Sequence, residues 1–410
     1  MNKTFLFNGL QLKFSNDIFL SYAINFIISS KSFLLIPILT LLSKWEFGIY
    51  NQFKLILTLF APYLSLGLSL SIIRFMDEKH DFERLVTTSV IIACTSIPLL
   101  ILPWVFDFSY LIFGTTIKEF NWLIIIWLIS FTFDQLLFNF LLGKRKFSCL
   151  LYIKLCNFFI ELIGCYLIIK IFGSLRPVII FLIISTIGTL LFQLLNTKMS
   201  SLAIIDLKRM LQYSIPILIG SSFGFILNSG DRFIIIHLLD AKKLGEYAAV
   251  YSVANLILVL LQPLEFVLYP KIAHLWNKNM LIDIVKLVKK TLKYEFFFGL
   301  VILLIIFSFK DFFIATITNK SYLSSKNLIF PLVSGLFIFS LGVPFQRIVT
   351  FKHPNYFLTI SLFTGCINLI LNFYLIPVYG ILASAWLTFL TNVIWSGLYF
   401  ILSLNIIRVL

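Results

Sequence analysis

Charge is scarce in this sequence: Asp, Glu, Lys and Arg supply 12% of its 410 residues, roughly half the share of a soluble globular domain. Acids are the scarcer sign, 18 against 33 bases, leaving a formal net charge of +15. The five cysteines (Cys94, Cys149, Cys156, Cys165, Cys366) form no CxxC and sit within or beside apolar runs, so they read as free buried thiols. Four scattered histidines offer no metal-ligand spacing. There is no phosphate-binding loop, no GxSxG, and no DxD or paired-carboxylate cluster in any span or loop, which leaves nucleotide-driven and common hydrolytic chemistry without residues. The polar connections are too short to hold a nucleotide domain. Any energy source is therefore an ion gradient or the substrate's own gradient. No cofactor and no metal is expected, and the chain does not read as an enzyme.

What the sequence has is hydrophobicity. Hydrophobic residues reach 60%, with 46 Phe and 7 Trp, and mean hydropathy is +1.00. Apolar runs of about 20 residues, the length that crosses a bilayer core, recur from end to end. Twelve spans are expected: 18–42, 47–74, 84–107, 119–142, 150–172, 175–197, 213–239, 247–270, 294–318, 325–350, 357–379 and 381–404. The start, "MNKTFLFNGLQLKFSNDIFLSYAINF", shows no compact apolar core with a small-residue cleavage site, so it reads as a retained cytoplasmic tail. With the N-terminus inside, Lys and Arg on cytoplasmic segments outnumber those outside by about two to one, which supports N-in and C-in. The basic excess is thus largely a matter of topology, and no nucleic-acid partner is implied. One connection is distinctive: "LIDIVKLVKKTLK" (281–293) gathers Lys286, Lys289, Lys290 and Lys293 on one helical face. It reads either as a helix lying on the anionic leaflet or as an extension of the next span.

A repeat organises the chain. "LLSKWEFGIY" (41–50) is echoed 197 residues later by "LLDAKKLGEY" (238–247), and "LIIKIFG" (167–173) by "YLIPVYG" (374–380) at a spacing of 207. Two echoes in one order and at similar offsets make spans 1–6 and 7–12 two copies of a six-helix bundle. An even span number keeps both copies in the same membrane orientation. The division is residues 1–197, a cytoplasmic linker 198–212, and residues 213–410. Parallel repeats with a site near the midplane are a transporter architecture.

Within the spans stand five cations (Lys31, Lys54, Lys154, Arg232, Arg347) and four carboxylates (Asp134, Glu161, Asp231, Glu265). A charge near a helix centre costs roughly 2.5–3.5 kcal/mol on insertion scales, so such residues face a bundle interior or a wet cavity. Lys54 and Arg347 lie near span ends and can snorkel; Lys154 is also near the inner surface. Lys31 and Glu161 fall mid-span and are the leading functional candidates. Asp231 and Arg232, in "FILNSGDRFIIIHLL" (225–239), project about 100° apart on a helix and pair poorly with each other. Each needs its own partner or water, in a hydrated cavity or in an ion-pair network locking helices.

"GDRFIIIHLLDAKKLGEYAAVYSVA" (230–254), "FGIYNQFKLILTLFAPYLSLGLSLSIIRF" (47–75) and "LNFYLIPVYGILASAWLTFLTNVI" (371–394) resemble the polysaccharide flippases of the MOP (MATE-like) superfamily, which include the O-antigen (Wzx-type) flippases. The resemblance covers essentially the whole chain. It implies an all-α polytopic membrane protein with two six-helix lobes around a V-shaped central cavity. The implied activity is transfer of undecaprenyl-pyrophosphate-linked oligosaccharide from the inner to the outer leaflet of a bacterial plasma membrane by alternating access. In that setting Lys31, Arg232 and Lys154 are candidate partners of the pyrophosphate. Glu161, Asp134, Asp231 and Glu265 are coupling or structural carboxylates; of these, Glu161 or Asp134 would take a proton. Expected partners are the lipid-linked oligosaccharide, membrane lipids, protons or sodium, and other membrane proteins of polysaccharide assembly. Two other readings stand beside it: a multidrug or organic-cation antiporter of the same superfamily, and a membrane-embedded O-antigen polymerase or ligase. Mid-span Lys31 argues against the former, short external loops against the latter.

Overall fold

The computed structural model describes residues 4–68, 90, 119–196, 207–261, 264, 268, 272, 275, 280–353 and 355–409. These form α1 (Thr4–Leu39), α2 (Lys44–Leu64), α3 (Asn121–Gly143), α4 (Phe147–Phe172), α5 (Leu175–Leu195), α6 (Leu207–Leu238), α7 (Ala241–Ala254), α8 (Leu281–Ser308), α9 (Lys310–Ile317), a 3-10 helix (Lys320–Leu328), α10 (Ile329–Lys352), α11 (Asn355–Tyr379) and α12 (Ile381–Val409). Ten helices among the described residues are long and apolar enough to cross a membrane. The expected span 84–107 lies outside the described residues apart from Val90.

The chain divides into two compact units, Met1–Leu42 with Phe53–Leu218, and Ser43–Gln52 with Ile219–Leu410. In the first unit the buried stripe of α4 runs Leu150, Ile153, Asn157, Glu161, Cys165, Ile169, the three- and four-residue steps that keep side chains on one helical face. Its ends are apolar and its middle is polar. Leu150 and Ile153 join Ile24, Leu136, Phe140 and Leu141 in one core cluster. The opposite side of α4 exposes Phe159, Ile160, Ile163 and Leu167, a surface that suits lipid and not water. Close packing of α4 on α5 depends on Gly164, where a Cβ would fall 2.1 Å from the Phe181 ring.

In the second unit, Leu227, Val343, Ile348, Val349, Ile360, Trp395 and Tyr399 form the core with Ile284 and Val288 of α8. The lysine-bearing segment 281–293 is the opening of the continuous helix α8, so of its two sequence readings the helical extension is the one observed. The expected span 294–318 is interrupted: α8 ends at Ser308 and α9 starts at Lys310.

Both sequence echoes have a structural reason. Gly173 and Gly380 end α4 and α11 in the left-handed region, with φ of 60° and 65°, and each N–H reaches the carbonyl four residues back, at Ile169 and Ile376. That backbone conformation favours glycine. The first echo is a reciprocal crossing inside the second unit. A Cβ on Gly48 would fall 1.7 Å from the Ala241 carbonyl oxygen, and one on Gly245 would fall 2.0 Å from that of Lys44. The four residues are related pairwise by the repeat, so each glycine admits the other copy's backbone.

Candidate functional site

In the first unit two ion pairs are held on α1, α3, α4 and α5. Asn157 and Glu161 lie one turn apart on α4, which sets both side chains on the inward stripe. Lys31 of α1 reaches across, its Nζ 2.9 Å from Glu161 Oε2 and donating to Asn157 Oδ1 at 2.6 Å. Asn157 Nδ2 donates to Glu161 Oε1 at 2.7 Å and to Ser185 Oγ at 2.9 Å. Ser185 Oγ in turn donates to Glu161 Oε1 at 3.3 Å. The carboxylate is therefore fully solvated by protein, which is what a charge at this depth requires.

The second pair lies along the same helices. Lys154 Nζ stands 3.4 Å from Asp134 Oδ2 and 4.9 Å from the Phe138 ring centroid. Thr189 Oγ1 and Gln193 Nε2 donate to Asp134 Oδ1 at 2.9 and 2.7 Å. Ser185, Thr189 and Gln193 follow one another at four-residue steps on α5, so this helix supplies donors to both carboxylates. The resulting polar seam runs about 12 Å along α5, at 1.5 Å per residue.

The second unit treats its charge differently. Asp231 of α6 accepts through Oδ2 from the Tyr247 hydroxyl, from Ser384 Oγ at 3.0 Å and from Thr388 Oγ1 at 3.4 Å. Its Oδ1 accepts the Arg232 backbone N–H at 2.9 Å. No Lys or Arg side chain forms an ion pair with it among the described residues. The Arg232 guanidinium instead lies 4.1 Å from the Tyr251 ring centroid, and its buried Nε has no hydrogen-bond partner. The two side chains thus do not pair. Glu265 lies outside the described residues. Lys54 is exposed.

Beside the glycine crossing, Glu246 meets Lys44 Nζ at 2.9 Å and Lys243 Nζ at 3.0 Å. Lys44 also donates to Ser324 Oγ at 3.2 Å. Neither Lys44 nor Glu246 was among the sequence candidates, although both stand inside the repeated motif that should have marked them. Nor were Asn157, Ser185, Thr189 and Gln193. Their four-residue steps in otherwise apolar helices were the available signal. Glu295, fully buried on α8, was likewise missed.

These features define a multi-pass, helical membrane protein that keeps ionisable groups inside its helix bundles. Residues 15–276 match the family described as "Polysaccharide biosynthesis protein", and the chain belongs to that family. No curated protein matches by sequence. Among solved structures, the chain is similar to a multidrug resistance MATE family transporter of the MOP superfamily in its inward-facing conformation (TM-score 0.72, 14% identity, 92% of this chain and 95% of that one). It is also similar to the lipid II flippase MurJ in an inward closed conformation (TM-score 0.74, 16% identity, 95% and 87%). A third is a MOP superfamily transporter from Pyrococcus furiosus Vc1, whose description reports a binding pocket of reverse polarity (TM-score 0.68, 14% identity, 96% and 95%). The chain has the fold of this transporter superfamily.

Proposed function

We propose that the protein is a flippase that carries an undecaprenyl-pyrophosphate-linked oligosaccharide, an O-antigen or related repeat unit, from the inner to the outer leaflet of a bacterial plasma membrane. Both termini are cytoplasmic, and the repeat halves 1–197 and 213–410 alternate access to the substrate. The substrate leaves chemically unchanged. The observation that carries the reading is Lys31 held on Glu161 inside a membrane protein of polysaccharide biosynthesis. A pyrophosphate needs cations, and a cation stored on a carboxylate can be released to it. When Glu161 takes a proton, its attraction for Lys31 falls and the ammonium is free for a phosphate oxygen; loss of the proton draws Lys31 back and favours release. Lys154 on Asp134 repeats the arrangement, and in the second unit Arg232, with Nε unpaired, is a further candidate phosphate partner. Proton coupling follows from this exchange.

The test is protein-dependent movement of a fluorescent lipid-linked oligosaccharide across vesicles with an imposed pH gradient. Wild type should flip it; Lys31→Ala and Glu161→Gln should each lose most of the rate. Flipping undiminished in both variants would refute the exchange. A second reading, an organic-cation antiporter, draws on Asp231, a carboxylate with hydroxyl partners. Extrusion of organic cations that is abolished by Asp231→Asn, without any glycolipid flipping, would establish it instead.

A further inference from the structure

Helix α8 presents one uninterrupted exposed face whose chemistry changes abruptly. Its inward side is set by Ile284 and Val288 in the core and by Glu295, all buried. Lys286, Lys289, Lys290 and Lys293 are exposed on the outward side. At 100° per residue these four fall within one 100° sector, and Phe297, Leu300 and Leu304 continue that sector toward the helix C-terminus. Those three are exposed as well, Phe297 by 62% and Leu304 by 53%. Within a single turn the face therefore passes from lysine to purely apolar side chains, and Tyr294, Phe296 and Phe298 are exposed around the same level. Tyrosine collects where a helix enters the hydrocarbon, while phenylalanine favours the hydrocarbon itself, and here Tyr294 precedes the three Phe. The switch thus marks the boundary between headgroups and acyl chains.

The lysine stripe rises about 10 Å, at 1.5 Å per residue, slightly more than the roughly 5–8 Å headgroup layer on one side of a bilayer. Its counter-charge is nearly absent. Asp283, 3.7 Å from Lys286, is the one acid of the segment on that side, and this pair is well exposed. Lys289, Lys290 and Lys293 form no ion pair among the described residues. Unlike Lys31 or Lys154, these cations lie on the outer surface of the unit, where abundant bilayer lipids reach them.

We propose that this face of α8 is a docking surface for anionic phospholipid headgroups, gripped by Lys286, Lys289, Lys290 and Lys293 and held at depth by the aromatic collar at 294–298. Neutral zwitterionic lipids satisfy it poorly, because their own cation competes for the phosphate. The contact is electrostatic and weakens with salt.

Native mass spectrometry of the purified full-length protein, titrated with phosphatidylglycerol or phosphatidylcholine, reads the proposal directly and independently of transport. Wild type should hold phosphatidylglycerol about tenfold more tightly than phosphatidylcholine, given contributions near fivefold per lysine before screening. Changing all four lysines to Gln should erase that preference while phosphatidylcholine binding stays unchanged, and changing all four to Arg should keep it. A Gln variant that retains the preference would overturn the proposal, as would one that loses both lipids equally. Undecaprenyl pyrophosphate displacing phosphatidylglycerol from wild type at equal concentration, but not from the Gln variant, would also overturn it and assign the face to the substrate. Failure of glycolipid flipping leaves this measurement untouched, so the two readings fail separately.

Discussion

The two units hold their candidate-site carboxylates differently, although Glu246 at the glycine crossing of the second unit is lysine-held too. The first neutralises each carboxylate with a lysine, Glu161 with Lys31 and Asp134 with Lys154. The second surrounds Asp231 with hydroxyls and turns Arg232 toward an aromatic ring. The contrast extends to the helix pairs that the second echo relates. At its spacing Glu161 corresponds to Asn368, which donates from its amide to Thr391 at 3.2 Å and accepts from Asn372. Where one copy keeps an ion pair, the other keeps amides and hydroxyls. The glycines at the helix ends are the same in both. The two echoed segments thus share a glycine helix end while their interior side chains differ.

The largest effect is expected from Glu161→Ala. It leaves Lys31 with Asn157 alone, and losing one partner of a buried pair costs about 3 kcal/mol. Chemical denaturation in a defined bilayer mimic should show that loss, whereas Lys31→Met with Glu161→Leu should recover most of the stability and still not flip substrate. If the double variant flips, the pair is structural only. Next in size is Gly245→Ala or Gly48→Ala. Either methyl meets a backbone carbonyl that cannot rotate away, and overpacking of this kind costs about 1–3 kcal/mol. Both substitutions should lower the melting temperature by similar amounts, because the crossing is reciprocal; a strongly one-sided effect would contradict that.

Asp231→Asn should be milder, about 1–2 kcal/mol. The three hydroxyls can reorient, but an amide hydrogen replaces one accepting oxygen. Comparable damage from Asp231→Asn and Glu161→Ala would erase the contrast between hydroxyl-held and lysine-held carboxylates. The smallest effect is expected at Gly173→Ala and Gly380→Ala. Neither has an atom within 4 Å of the added carbon, so only the left-handed backbone is penalised, by about 1 kcal/mol. Equal shifts at the two positions would show that the helix ends of both copies are governed by the same local geometry.

Much of the fold was legible because a bilayer imposes it. Length and apolarity mark a crossing helix without reference to any neighbour, so α3, α4, α5, α11 and α12 fall close to their expected limits. The boundary of α8 was not legible in this way: its lysine segment is helical by periodicity in either reading, and only Ile284 and Val288 in the core tie it to the span that follows. At the candidate site the charged residues announced themselves by their cost in an apolar run. Asn157, Ser185, Thr189 and Gln193 did not, since a neutral polar side chain costs less than a charge and the cost is offset once it is hydrogen-bonded.

Composition and hydrophobic run length alone determined that this chain is a helical, multi-pass membrane protein, because in hydrocarbon every backbone group must be satisfied within its own helix. The two motifs announced a repeat through their glycines, which a left-handed helix end favours and a close backbone crossing requires. Pairing was decided only in three dimensions. Lys31 and Glu161 are separated by most of the first unit's sequence, as are Asp231 and Ser384 across the second, and helix packing alone brings each set within hydrogen-bonding distance. Which charges are spoken for, and which face the lipid, depends on neighbours that linear order does not name.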